Sequence, residues 1–190
     1  MHRPSERGFT LIELLVVIAI IGVLSAIITV VLSSARAQGS DAGVKSALVS
    51  ARAQAELFYQ ANGNRYSVSL NDTTTNVCHP TALAGETKGV YAMLLNAAEA
   101  AGVPEENIIT KVSGKGGSGG EGFVTCHACP AVTGPGSCSG LNSNAWAIEV
   151  PLKDNLPPTE NPDFWCIDSS GFSARNVDGS RLSLGDTRCL

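Results

Sequence analysis

Hydrophobic and polar positions divide the chain into three regimes. Residues 14–32 carry no charge, and nineteen such positions in a row are long enough to cross a bilayer core as helix. Residues 33–60 stay helical in pattern but become one-sided. Val44, Leu48, Ala51, Ala55 and Phe58 recur at spacings of four, three, four and three, which makes a single apolar stripe. Alanine is frequent here, and Asp41 stands four residues before Lys45 in the favourable order. Gly39 and Gly43 are weak points where a bend is expected, and Asn62-Gly63 is a stop signal. One helix over about residues 10–60 is predicted, roughly 75 Å long at 1.5 Å per residue. Beyond it the pattern is irregular. Residues 64–87 read as loop with one short element near 81–84, and residues 90–101 as a second helix closed by Gly102 and Pro104. Strands are expected at 108–112, 146–150 and 163–167, the last turning through Asp168-Ser169-Ser170-Gly171 into a returning strand at 172–177. The fold class is therefore α+β, with one long N-terminal helix laid across a small antiparallel sheet.

One carboxylate disturbs this pattern. Glu13 sits at the head of the apolar run, where a lone acid costs a few kcal/mol and needs a partner. No base lies near it within the run. The sequence before it, MHRPSERG, is short and polar, contains Arg3 and Arg7, and ends in Gly8 directly before Phe9.

Glycine, phenylalanine, acid and apolar run in this register resemble the N-terminal segment of type IV prepilins and of the related pseudopilins. The resemblance implies a leader at residues 1–8, a transmembrane and polymerisation helix at 9–32, its amphipathic continuation at 33–62 and a head domain at 63–190. It implies cleavage between Gly8 and Phe9 by a prepilin peptidase, and N-methylation of Phe9 by the same enzyme. The freed Phe9 ammonium would supply the cation that Glu13 lacks, within one helix or from a neighbouring subunit, and Glu13 would then set assembly register. Copies of the chain, other pilins, an inner-membrane platform with its assembly ATPase, and membrane lipid before assembly are the implied partners. The implied locations are the cytoplasmic membrane, head outside, and then a surface filament. Adhesion, motility, DNA uptake and secretion all use this plan. The chain departs from many major pilins at Val30, where those carry proline within the apolar half, and this favours a minor or divergent subunit. Trp165-Cys166-Ile167-Asp168-Ser169-Ser170-Gly171 also resembles the strand and turn near the end of some bacterial pilins.

Two plainer readings compete. Ala35-Arg36-Ala37 satisfies a small-x-small cleavage rule, but the apolar stretch exceeds the roughly 7–15 residues of a secretory h-region and contains an acid. A plain single-pass anchor leaves the leader spacing unexplained. Net charge is −4, so no global basic field attracts nucleic acid. Six cysteines behind an export-type segment indicate an oxidising compartment, and twenty glycines with few aromatic residues suit a small loop-rich domain.

Cys78, Cys126, Cys129, Cys138, Cys166 and Cys189 allow fifteen pairings, among which sequence does not choose. The pilin resemblance implies Cys166–Cys189, tying the tail onto the last hairpin and leaving the other four as two further bridges. Cys126-His127-Ala128-Cys129-Pro130 invites other chemistry. A c-type haem needs histidine where Pro130 stands, a thioredoxin-like pair needs a βαβ setting, and a zinc site drawing on His79, His127 or Cys138 lacks a second metal-spaced pair. Gly114, Gly116 and Gly119 match a dinucleotide-binding spacing without the flanking strand and helix it requires. Neither catalytic residues nor a cofactor or metal are expected. The sequence thus favours a filament subunit, then a pseudopilin, and more distantly a membrane-anchored binding or redox protein using Cys126 and Cys129.

Overall fold

The computed structural model describes residues 9–67, 76–112, 122–129, 144–153 and 163–176, with Leu182 and Cys189. Two units are distinguished, residues 1–37 and 38–190. Helix α1, Leu11–Ala61, contributes its first part to one unit and the rest to the other. In the first unit its apolar side chains are exposed on every side. In the second it buries Asp41, Val44, Leu48, Ala51, Ala55 and Phe58, the stripe read from the sequence with one carboxylate added. No break interrupts the helix at Gly39 or Gly43. A Cβ at Gly43 would lie 3.2 Å from the Ala100 Cβ, whereas one at Gly39 would meet nothing within 4 Å. Gly43 thus marks a close helix approach, not a bend.

The helix stops as its sequence dictates. Gly63 and Asn64 take left-handed backbone angles, and the Asn64 N–H returns 2.9 Å to the Tyr59 carbonyl, the bond that closes a Schellman end. Helix α2, Tyr91–Ala101, ends in the same manner, with Gly102 at φ 72° and the Val103 N–H donating to the Ala98 carbonyl at 2.8 Å. Between the helices, β1 (Leu83–Ala84) and β2 (Thr87–Lys88) form a minimal hairpin.

The main sheet has five strands in sequential order: β3 (Ile108–Val112), β4 (Val124–Cys129), β5 (Ala145–Pro151), β6 (Phe164–Asp168) and β7 (Ser173–Asn176). Neighbours from β4 to β7 are antiparallel, but β3 and β4 run parallel. The sheet is therefore the small antiparallel one expected, with one parallel pair added at its β3 edge. Strand β4 was also not foreseen. Its residues are buried on both faces, so no exposed side marks it, although Val124, Cys126 and Ala128 alternate with Thr125 and His127.

Side chains alternate across the sheet. Val124, Cys126, Ala128, Trp146, Ile148, Val150 and Ile167 join the α1 stripe and Leu94, Ala97 and Ala98 of α2 in the principal core. Thr125, His127, Glu149 and Asp168 occupy alternate positions and are buried too. Ala147, Cys166 and Leu182 make a small second cluster against which Cys189 packs.

Candidate functional site

Two features carry functional information: the N-terminal end of α1 and the disulfide-tied head. At the first, Thr10 precedes the first helical residue and Glu13 is the third residue of the helix. Glu13 Oε2 accepts the Thr10 N–H and the Thr10 hydroxyl, both at 2.9 Å, while the Glu13 N–H donates to Thr10 Oγ1 at 3.3 Å. This reciprocal arrangement is a capping box, satisfying donors that a helix end otherwise leaves open. Sequence reasoning missed it, although threonine followed three residues later by glutamate before an apolar run is its signature. Glu13 therefore already has partners within its own chain.

From that cap onward the surface is apolar. Phe9 is 90% exposed, and Leu11, Val23, Val30 and their neighbours stand open on all sides. The Thr29 hydroxyl is satisfied by the Ser25 carbonyl at 2.8 Å, so it adds little polarity. By length and composition α1 is able to cross a membrane, and it is the one such helix among the described residues. Gly8 and the rest of residues 1–8 lie outside the described residues.

In the head, Cys78 is bonded to Cys126 and Cys166 to Cys189, with Cα separations of 5.7 and 5.8 Å. Cys129 is also in a disulfide. Cys138, the remaining candidate, lies outside the described residues, as do Gly114, Gly116 and Gly119. The pairing overturns the redox reading of Cys126 and Cys129. Those two are not each other's partners, because Cys126 is committed to Cys78 across 48 residues of sequence. The same bonds overturn a zinc site built on that pair, since a metal requires thiolates. His127 is buried on β4, while half-buried His79 shares a 3.0 Å contact between Nδ1 and Thr81 Oγ1. Among the described residues no three metal-ligating side chains gather.

Polar contacts fix α1 to the head. Asp41 accepts the Lys153 N–H at 2.8 Å, and the Ser40 hydroxyl donates to the Ala100 carbonyl. Lys45 Nζ sits 4.5 Å above the Trp165 ring, while Arg52 donates to the Asp168 and Phe172 carbonyls around the β6–β7 turn. At the helix exit, Asn144 accepts the Tyr66 N–H and donates to the Asn64 carbonyl, each at 2.9 Å. Tyr66 stacks near Tyr59 and donates its hydroxyl to Glu56 at 2.7 Å. Burial, reinforced by that carboxylate, pushes the Tyr66 phenol well above its ordinary value of 10.

Residues 3–29 match a family model described as the prokaryotic N-terminal methylation motif, the signal carried by type IV prepilin-like chains. No curated protein and no solved structure matches the chain.

Proposed function

We propose that this chain is a structural subunit of a type IV pilus-like filament. The observation that carries the reading is a coincidence in one segment: the methylation motif over residues 3–29 falls on a helical surface that is charge-free from residue 14 to residue 32 and exposed on all sides. Such a surface demands lipid or other helices of its kind. Prepilin peptidase would cut between Gly8 and Phe9, and methylation of Phe9 would follow. The chain would wait in the cytoplasmic membrane with residues 63–190 outside, then leave lipid for a helical polymer of copies and related pilins, driven by the assembly ATPase through its membrane platform. In the polymer Glu13 would meet the Phe9 ammonium of a neighbour, because a carboxylate placed in an apolar filament core needs a cation. The head, stiffened by bridges worth about 2–4 kcal/mol each, would form the exposed surface. Nothing in this role calls for catalysis.

A second reading, a pseudopilin in a secretion or DNA-uptake machine, shares every N-terminal feature, and the motif favours neither. The decisive experiment is intact mass and N-terminal sequence of the protein from its native cells, combined with a search for it in sheared surface filaments. A chain starting at Phe9 with one added methyl, recovered from filaments, supports the pilus subunit. The same chain retained in the envelope supports the pseudopilin. A chain starting at Gln38, or an uncut chain starting at Met1, sinks both.

A further inference from the structure

Asp168 ends β6 and is enclosed, with 1% of its surface exposed. Its Oδ1 accepts three donors from the turn that follows: the Ser170 N–H at 2.8 Å, the Ser170 hydroxyl at 2.6 Å and the Phe172 N–H at 3.2 Å. Its Oδ2 accepts a donor remote in sequence, the backbone N–H of Cys189 at 3.0 Å. Asp168 and Cys166 are two residues apart on one strand, so their side chains share a face. That is the face on which Cys166 clusters with Ala147 and Leu182, with Cys189 packed against them. The backbone of Cys189 is thus held beside the sulfur it must reach.

We propose that Asp168 is the positioning residue for the Cys166–Cys189 bond: its carboxylate shapes the β6–β7 turn with one oxygen and with the other selects Cys189 from among six cysteines. Closing this bridge orders a separation of 23 residues, which loop entropy opposes. A hydrogen bond to a charged acceptor is among the stronger ones available, and it acts before the covalent bond exists. Oxidation then needs only a disulfide donor. With oxidised glutathione, one glutathione S–S bond breaks, the protein S–S bond forms, and two protons pass from the cysteine thiols to give two reduced glutathiones. The equilibrium constant of that exchange is the effective concentration of Cys189 at Cys166, and loss of the Oδ2 contact should lower it about tenfold to a hundredfold.

The test equilibrates the full-length chain in detergent with glutathione redox buffers, traps free thiols by alkylation and maps each bridge by mass spectrometry. Asp168→Asn is the informative variant. Three donors converge on the Oδ1 position, so the single amide oxygen belongs there, and the NH2 group is left facing the Cys189 N–H. The turn is kept while the contact to the tail becomes repulsive. The expected result is a tenfold to hundredfold drop for Cys166–Cys189 with Cys78–Cys126 unchanged, and no effect on either bridge from Ser170→Ala, which removes only a turn donor. An unchanged Cys166–Cys189 equilibrium in Asp168→Asn overturns the proposal. Equal weakening of both bridges also overturns it, because Asp168 would then support only general folding, and so does a Ser170→Ala effect as large as that of Asp168→Asn.

Discussion

Glu13 has two candidate roles, and a pair of substitutions separates them. As the third residue of α1 it closes a capping box with Thr10; loss of such a cap costs about 0.5–2 kcal/mol. As the partner of a neighbour's ammonium in an apolar core it would matter more, since removing one member of a buried pair costs about 3–5 kcal/mol. Glutamine at position 13 keeps the box, because its amide oxygen can accept the two Thr10 donors that Glu13 Oε2 accepts and its backbone N–H is unchanged, but it carries no charge. Valine at position 10 loses the hydroxyl that donates to Glu13 Oε2 at 2.9 Å yet keeps the charge. If the ammonium pairing governs assembly, Glu13→Gln abolishes filaments recovered by shearing while the purified chain in detergent keeps its helical circular dichroism. Thr10→Val then assembles with at most a few-fold loss. Normal filaments from Glu13→Gln, together with failure of Thr10→Val, would refute the pairing argument and leave Glu13 as a helix cap alone.

Two further expectations concern the head. Gly39→Ala and Gly43→Ala each add about 0.8–1.0 kcal/mol of helix propensity, but only the second brings a Cβ within 3.2 Å of Ala100. Thermal unfolding should therefore rise by roughly 2–4 °C for Gly39→Ala and by clearly less, or fall, for Gly43→Ala; equal gains would mean that α1 and α2 are not in close contact. Tyr66 keeps its proton in the folded state to a pH above the ordinary value of 10, whereas the unfolded chain loses it near that value. The stabilisation is complete below pH 10 and fades as pH rises through the folded pKa, so denaturant midpoints should drop in alkali, and Tyr66→Phe should flatten that drop.

The elements most legible in the sequence were those whose own residues impose a period or a stop. The α1 stripe from Val44 to Phe58 and the glycine after α2 needed no tertiary information, because helix geometry and left-handed backbone preference act locally. Strand β4 was illegible for the opposite reason. Its Val-Thr-Cys-His-Ala-Cys string carries only a weak alternation, Val124, Cys126 and Ala128 toward the core with Thr125 and His127 between them, and its burial on both faces depends on partners remote in sequence. The same string drew attention as chemistry because two cysteines stand three residues apart, yet they sit one on each face of a strand. Cys126 points into the core toward Cys78. Spacing suited to a helix or loop misleads when the local backbone is extended. At the N-terminus the failure was of a different kind. Thr10 and Glu13 stand in plain view, yet an acid in an apolar run points first to a cation, and its partner is a neutral hydroxyl three residues away.

That neutral partner bears on what drives assembly. Both ends of α1 are closed from within the chain, by the Thr10–Glu13 box and by the Asn64-to-Tyr59 bond. What remains unsatisfied is side-chain surface: the exposed apolar residues from Leu11 to Leu32. Attraction among such surfaces is non-directional and is not weakened by charge screening, whereas attraction between exposed charges fades as salt shortens the screening length to about 3 Å at 1 M. Filaments of the proposed kind should accordingly persist in 1 M salt and disperse in mild detergent that covers residues 9–32. The proposed Glu13 pairing, if enclosed in a filament core, would be screened little and would set register without dominating cohesion. Light scattering and electron microscopy of filaments under the two treatments decide the matter. Dispersal by salt with resistance to detergent would mean that head-to-head charge contacts, not the N-terminal helices, hold the polymer together.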